Sequence, residues 1–411
     1  MNLNFLFRIL NKFDFVKQTQ LYEFIRTIIF PFVLKKISKF FPSKVDDRLI
    51  VLGGYGGGAY LGNTKYLFEY LNKHSDYKLV WITKSHEVLN EVRKKGYQAV
   101  YSYDLEAIRL LRQAKFIFIT HGYEDVLPIE FSSDTIIIFT WHGTPIKIVN
   151  RNIDNSYIYS KWAEIFHIKL KYDEYVDFML TPTRDKREHE ILSESFKLSP
   201  EKIIAVGYPK LDYLFDKDKD FIFKLKKSYI ISESYDQIIF YCPTYRESFM
   251  LEFPFKPEQL KKLNNFLEQT NSLFLIKAHM LVKNINFKGY KNIKVISKEA
   301  NIEDLYLITD LLITDYSSTM LDFSLLNRPI ILYPYDLQEY LNKVGLLYKL
   351  EDIAPGPIFL NTDDLINGIK NISTIEKDFE EKRNLIRDKF NKFRDGKSTE
   401  RILNFLNIKF Y

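Results

Sequence analysis

A single cysteine, Cys242, stands among 411 residues, so no intramolecular disulfide can form. The N-terminus lacks the small-residue cleavage site of a secretory signal. Its longest uncharged apolar run, residues 27–34, falls far short of the ~20 residues that a membrane-spanning helix needs. There is no metal-spaced Cys/His cluster, no internal repeat and no low-complexity tract. These absences predict a cytoplasmic protein without a membrane span, a structural disulfide or a cysteine-based metal site.

Net positive charge is also missing from most of the chain. The net charge is +6, but residues 1–45 carry eight Lys or Arg against only Asp14 and Glu23, which accounts for the whole excess. A body without net positive charge argues against nucleic acid as a partner. Within the arm, Val33, Leu34, Ile37, Phe40 and Phe41 recur at helical spacing, with Lys35, Lys36 and Lys39 between them. That pattern suits a helix lying on a membrane surface, where anionic headgroups attract each lysine by about 1 kcal/mol. It equally suits a helix whose apolar face packs on the protein.

Apolar residues make up 46% and charged residues 27%, a globular composition, and the length calls for two domains of roughly 150–200 residues each. The reading is an amphipathic arm over 1–46, a first domain over 47–230 and a second over 231–411. Residues 48–52 form a buried strand, 53–62 a glycine-rich turn, 63–71 a helix and 78–82 a strand. Gly54, Gly56 and Ala59 fit a loose dinucleotide pattern, but Thr83, Lys84 and Ser85 occupy the place of the ribose-binding acid. The glycines are therefore read as letting a ligand or a facing domain approach the backbone.

Alternation continues through a helix at 104–114, strands at 115–120 and 135–140, a helical insert at 157–175, and strands at 178–181 and 202–206. A charged stretch at 217–227 and a polar break at 232–236 lead to strands at 237–241, 273–278, 293–296 and 311–313, with helices at 259–267 and 302–308. A polar turn, an apolar helix to Leu326 and a strand at 329–333 follow. A charged helix from Ile375 breaks at 394–402 and restarts behind Ser398. The predicted fold class is α/β: two Rossmann-like domains facing each other across a cleft, with an N-terminal helical arm.

Candidate chemistry sits in turns at strand ends: His142 in TWHGTPIK, Thr244 and Arg246 in CPTYRE, His279 in IKAHM, and Asp315, Ser317 and Ser318 in TDYSS. Open α/β sheets bind ligands at such ends, and Arg, His and serine hydroxyls beside a helix start suit a pyrophosphate. A histidine exchanges a proton near neutral pH, so His142 can take one from an attacking hydroxyl. Each residue has a plainer reading: a histidine satisfied within the fold, an Arg246 paired with Glu247, an Asp315 that only caps backbone N–H groups.

Taken in order, WHGTPIK, GYPKLDYL, PTYRE, the Lys-x-His of IKAHM, TDYSSTMLDFSLLNRPIILYPYDLQEY, PGPI at 355–358 and DGKSTERI make the chain resemble the CDP-glycerol glycerophosphotransferase family of teichoic acid primases and polymerases. The resemblance spans about residues 48–405. It implies a GT-B-type fold with an acceptor-side first lobe and a nucleotide-side second lobe. The implied reaction moves a polyol phosphate from a CDP-activated donor to a hydroxyl of a lipid-linked or polymeric acceptor, releasing CMP at the inner membrane face.

By motif match, His142 carries over as the base, and His279 as a second catalytic residue at the donor pyrophosphate. Arg246, Ser317 and Ser318 carry over as donor contacts, and Thr244 and Asp315 are placed with them. Gly143, Lys147, Arg151 and Asn63 are placed with the acceptor. No cofactor or metal is required, and a role for a divalent ion stays open, as does glycerol against ribitol in the donor. Two other functions compete: a glycosyltransferase of the same fold using a nucleotide sugar, and a membrane-associated subunit that only binds an anionic polymer.

Overall fold

The computed structural model describes residues 25–148, 172–232, 234–244, 254–277, 287, 289–297 and 300–411. The chain divides into two compact units. The first holds the described residues up to His142, those from 172 to Lys210, and Lys397–Tyr411; the second holds Gly143–Ile148 and Leu211–Gly396. The division falls twenty residues before the expected boundary at 230, and the last fifteen residues leave the second unit for the first.

The first unit is built on seven parallel strands: β1 (Asp46–Leu52), β2 (Lys78–Thr83), β3 (Ala99–Tyr101), β4 (Ala114–Ile119), β5 (Ile136–Phe139), β6 (Phe178–Thr181) and β7 (Ile203–Ala205), in the order β3-β2-β1-β4-β5-β6-β7. Both faces of the sheet are covered, which is why its strands read as unbroken apolar runs. Alternate residues divide between two cores. Leu49, Val51, Val80, Ile82, Ile117 and Ile119 enter one; Ile50, Leu52, Leu79, Trp81, Phe116 and Phe118 enter the other. The three-residue β3 and the helix His86–Lys94 before it were not anticipated, since AVY is too short to display a period.

The second core is closed by the chain's end. Ile402 and Leu403 from the helix Ser398–Phe405 join it with Leu406 and Ile408. The Tyr411 N–H donates to the His74 carbonyl at 2.8 Å.

The first core is flanked by the helix Phe30–Ser38, and much of that helix's apolar stripe packs on it. Phe30 and Leu34 are buried in that core, Ile37 and Phe41 pack against it, and of the stripe only Phe40 is exposed, at 89%. The Ser38 hydroxyl accepts the Glu130 N–H at 3.2 Å and Lys35 pairs with Glu130 at 3.0 Å, so one of the expected lipid-facing lysines is spent within the unit. Residues 1–24 lie outside the described residues, as do 149–171, which include 157–171 of the expected insert. Among the described residues no helix is long and apolar enough to cross a membrane.

The second unit repeats the plan with β8 (Gln237–Tyr241), β9 (Ser272–Ile276), β10 (Ile293–Val295), β11 (Leu311–Thr314) and β12 (Ile330–Leu332), all parallel, in the order β10-β9-β8-β11-β12. In both sheets the winding direction reverses between the first and fourth strands, at β1/β4 and β8/β11. Ligands of doubly wound folds bind outside the carboxyl ends of such strands. The PGPI segment lies along β12: the Leu332 N–H donates to the Pro357 carbonyl at 2.9 Å, and a Cβ on Gly356 would meet the Ile330 carbonyl oxygen at 1.7 Å. Only glycine admits that approach.

Candidate active site

In the first unit, two turns meet at the reversal point. After β1 the chain turns through Gly53–Gly57, with Tyr55, Gly56 and Gly57 at positive φ. After β4 it turns through Thr120–Asp125. Asp125, fully buried, ties the two together. Its Oδ1 accepts the Gly56 N–H at 2.7 Å, and its Oδ2 accepts the His121 N–H at 2.7 Å, the Thr120 hydroxyl at 3.1 Å and the Thr120 N–H. A Cβ on Gly53 would lie 2.6 Å from the Asp125 carbonyl oxygen. At least this glycine therefore serves packing within its own unit.

His142 follows β5. The residue before it, Trp141, has φ of 52°, a left-handed conformation that costs a non-glycine residue about 1–3 kcal/mol and persists only where its surroundings enforce it. Those surroundings are explicit. The Trp141 ring is buried against Phe196 and Phe139, with centroids 4.7 and 5.4 Å away. The Asn63 amide donates to the Thr140 and Trp141 carbonyls at 3.1 and 2.9 Å, and its Oδ1 accepts the Lys210 N–H at 3.2 Å. Asn63 is fully buried with both ends of its amide engaged. These bonds hold the turn that carries His142 and tie it to GYPKLDYL.

The neighbour of His142 that sequence reasoning missed is His121. The two imidazoles lie face to face, 4.6 Å between centroids and 7° from parallel, with Trp141 at 4.0 Å from His142 on the chain side and Tyr55 at 5.0 Å from His121. His121 Nδ1 lies 2.7 Å from the Thr120 hydroxyl and 4.0 Å from Asp125 Oδ1. Burial lowers the His121 pKa, while the carboxylates of Asp125 and Glu124 pull the other way. Tyr172, whose own pKa burial pushes up to about 12, donates its hydroxyl to the His121 carbonyl at 3.3 Å. The available signal was a histidine set directly behind a buried strand with an aspartate four residues on. THGYED carries no familiar motif, however, and only the strand order brings it to His142.

Beyond His142 the chain enters the second unit. Ile146 and Ile148 hydrogen-bond with Leu347 and Gly345, so Lys147 is held opposite Leu346 in an antiparallel bridge. Gly143 lies buried at the head of this segment.

At the second reversal point, Thr244 follows β8 and Asp315–Ser318 follow β11. Asp315 is fully buried, and its Oδ1 accepts the Thr244 N–H at 2.8 Å and the Tyr316 N–H at 2.6 Å. This is the capping role expected of a carboxylate in such a turn, and it draws two loops together. The Thr314 hydroxyl donates to the Cys242 carbonyl at 2.7 Å across the same junction. Tyr316 is locked by stacking on Tyr340 at 3.9 Å and by donating to Asp336 at 3.1 Å.

Ser317 and Ser318 stay half-buried at the rim, and the Ser317 hydroxyl accepts the Thr319 N–H at 3.3 Å. The expected helix to Leu326 is a five-residue helix, Thr319–Phe323, followed by a 3-10 turn, so its dipole is short. Cys242 is no nucleophile: burial pushes its thiol up to about 12. Arg246, His279 and Arg151 lie outside the described residues. Among the described residues no group of three or more His, Cys, Asp or Glu is arranged to hold a metal ion.

Comparison with known proteins bears on both units together. The model of the family described as CDP-glycerol:poly(glycerophosphate) glycerophosphotransferase matches residues 34–407. The chain is 30% identical over 373 residues to a teichoic acid glycerol-phosphate transferase of Staphylococcus aureus, covering 88% of this chain and 93% of that one. It is 30% identical over 311 residues to the teichoic acid glycerol-phosphate primase of Bacillus subtilis, 74% and 76% of the two chains. Among solved structures, the wall teichoic acid polymerase TagF superposes with a TM-score of 0.77 at 23% identity, over 92% of this chain and 93% of the other. The fold is thus of the GT-B kind, and the chain belongs to the CDP-glycerol:poly(glycerophosphate) glycerophosphotransferase family.

Proposed function

We propose that the protein transfers glycerol phosphate from CDP-glycerol to a hydroxyl of a lipid-linked or polymeric acceptor in the synthesis of a teichoic-acid-like cell-surface polymer. The observation that carries this reading is the family match over residues 34–407, which takes in every motif at the two reversal points. The two relatives described above are both named for glycerol phosphate, which favours the three-carbon donor over ribitol.

The reaction breaks the bond between the bridging oxygen and the phosphorus that carries glycerol. The acceptor oxygen bonds to that phosphorus, CMP leaves with the bridging oxygen, and the hydroxyl proton passes to His142. Such a transfer depends on positioning and on neutralising charge at the non-bridging oxygens. Ser317 and Ser318 supply hydroxyl donors, and Thr244 supports them; Arg246 and His279 supply positive charge. Gly143, Lys147 and Arg151 take the acceptor side. Asn63 and Asp315 act by holding turns. The exposed Lys36, Lys39 and Lys44, with Phe40, are the described residues suited to a peripheral contact with an anionic inner membrane face.

The test incubates the purified protein with CDP-glycerol and CDP-ribitol in parallel, each with a glycan or lipid-linked acceptor. CMP release with CDP-glycerol, lost in His142→Ala, is the expected result. Release from CDP-ribitol alone would overturn the donor assignment, and undiminished release by His142→Ala would remove His142 as base.

A further inference from the structure

Hydrogen bonds fix His121 at its backbone N–H and carbonyl and at one ring nitrogen. Its N–H is held by Asp125, its Nδ1 meets the Thr120 hydroxyl, and its carbonyl accepts from Tyr172. Asp125 in turn gathers the β1 turn through the Gly56 N–H. What this framework presents outward is one imidazole face, parallel within 7° to the ring of His142. A merely space-filling residue at this point needs neither a buried carboxylate beneath it nor a ring in the plane of its neighbour.

We propose that His121 is a positioning residue for the transfer reaction: its anchored ring sets the plane of His142, and as a neutral imidazole its face lies against the imidazolium that His142 becomes on taking the acceptor proton. The inference rests on the reading of His142 as base. An aromatic face stabilises a cation placed over it, and the effect grows where water is excluded. A charged His121 would reverse the effect, since like charges disfavour one another's ionisation. The groups facing His121 are Tyr55 from the turn after β1, Glu124 and Asp125 from its own turn, Tyr172, and His142 itself; the Lys84 ammonium donates to the Glu124 carbonyl. Burial lowers the His121 pKa, which favours the neutral ring, against the pull of the two carboxylates.

The experiment compares the full-length protein with His121→Ala and His121→Phe. Turnover of CDP-glycerol is followed across pH, and the ring signals of His142 are titrated by NMR in histidine-labelled protein. His121→Ala is expected to lower kcat at least about tenfold with KM for CDP-glycerol within about twofold, and to displace the His142 titration midpoint. His121→Phe, which keeps a ring but not the titrating nitrogens, is expected to recover most of kcat near neutral pH and return the midpoint. A kcat within twofold of wild type and an unmoved His142 midpoint in His121→Ala would overturn the proposal. A Phe variant as impaired as the Ala variant would do the same. The NMR arm needs no turnover, so the pairing is tested even if His142→Ala proves active and the base assignment falls.

Discussion

Replacing Asn63 by alanine should damage the enzyme through the fold of one turn rather than through a lost ligand contact. The substitution removes three hydrogen bonds at a fully buried site, those to the Thr140 and Trp141 carbonyls and from the Lys210 N–H, and leaves the Trp141 carbonyl only the Thr140 hydroxyl at 3.2 Å among the described residues. Each lost bond costs about 0.5–1.5 kcal/mol, and more where a buried partner stays unsatisfied, so the sum is about 2–4 kcal/mol. The left-handed Trp141 stores a further ~1–3 kcal/mol of backbone strain, which then has fewer restraints and drives the turn toward relaxation. Because His142 is the next residue, its ring moves with the turn. For a unit of this size about 2–4 °C of melting temperature accompany each kcal/mol, so calorimetry should show the first unit's transition falling on the order of 10 °C. CMP release should fall at least about tenfold in kcat, since small misplacements of a base are costly. A residue that touched the acceptor would behave oppositely, raising the acceptor KM at unchanged melting. That outcome, with the transition within about 2 °C of wild type, would refute the positioning argument.

Gly356→Ala should destabilise the second unit by about 1–3 kcal/mol or more, because its Cβ would sit 1.7 Å from the Ile330 carbonyl oxygen and one of two paired segments must move; urea denaturation followed by intrinsic fluorescence measures it, and a wild-type midpoint would contradict the close approach. Cys242 should resist alkylation at pH 7.5 unless the protein is unfolded, since its thiol is buried and neutral. Its raised pKa also gives a sign to the alkaline limb: the stabilisation is complete below an unfolded-state pKa of about 9 and is lost as pH rises toward about 12, so Cys242→Ala should flatten stability in that window.

The two parallel sheets were legible because strands buried on both faces appear as apolar runs between helical periods, and the runs at 48–52, 237–241 and 311–313 all lie within strands. The polar turns at their ends were legible for the same reason, as breaks in that pattern. What escaped was whatever depends on strand order. THGYED is an ordinary loop until β4 is known to lie between β1 and β5, and then its histidine is stacked on His142. The return of the C-terminal helix to the first sheet is likewise a tertiary fact, carried by Ile402, Leu403 and the Tyr411 bond to His74. In Phe30–Ser38 the apolar period was real, but a period does not name the surface it packs on.

Asn63 and Asp315 share a structural role that their residue types do not announce in the sequence. Both stand where binding residues stand, beside a reversal point, and both are of the types that bind ligands, an amide and a carboxylate. Turns that bring polar backbone to a sheet edge must satisfy that backbone, and the groups able to do so from within are these same side chains. A buried carboxylate taking two N–H groups from two loops, or a buried amide engaging two carbonyls and an N–H, commits those groups to holding the fold together. At each reversal point the layout is therefore a buried polar tie beneath a partly exposed rim. Asp125 and Asn63 lie below His121 and His142, and Asp315 lies below Ser317 and Ser318. Substitutions in the ties should register as loss of stability and kcat together, while substitutions at Ser317 and Ser318 should register chiefly in KM for the donor.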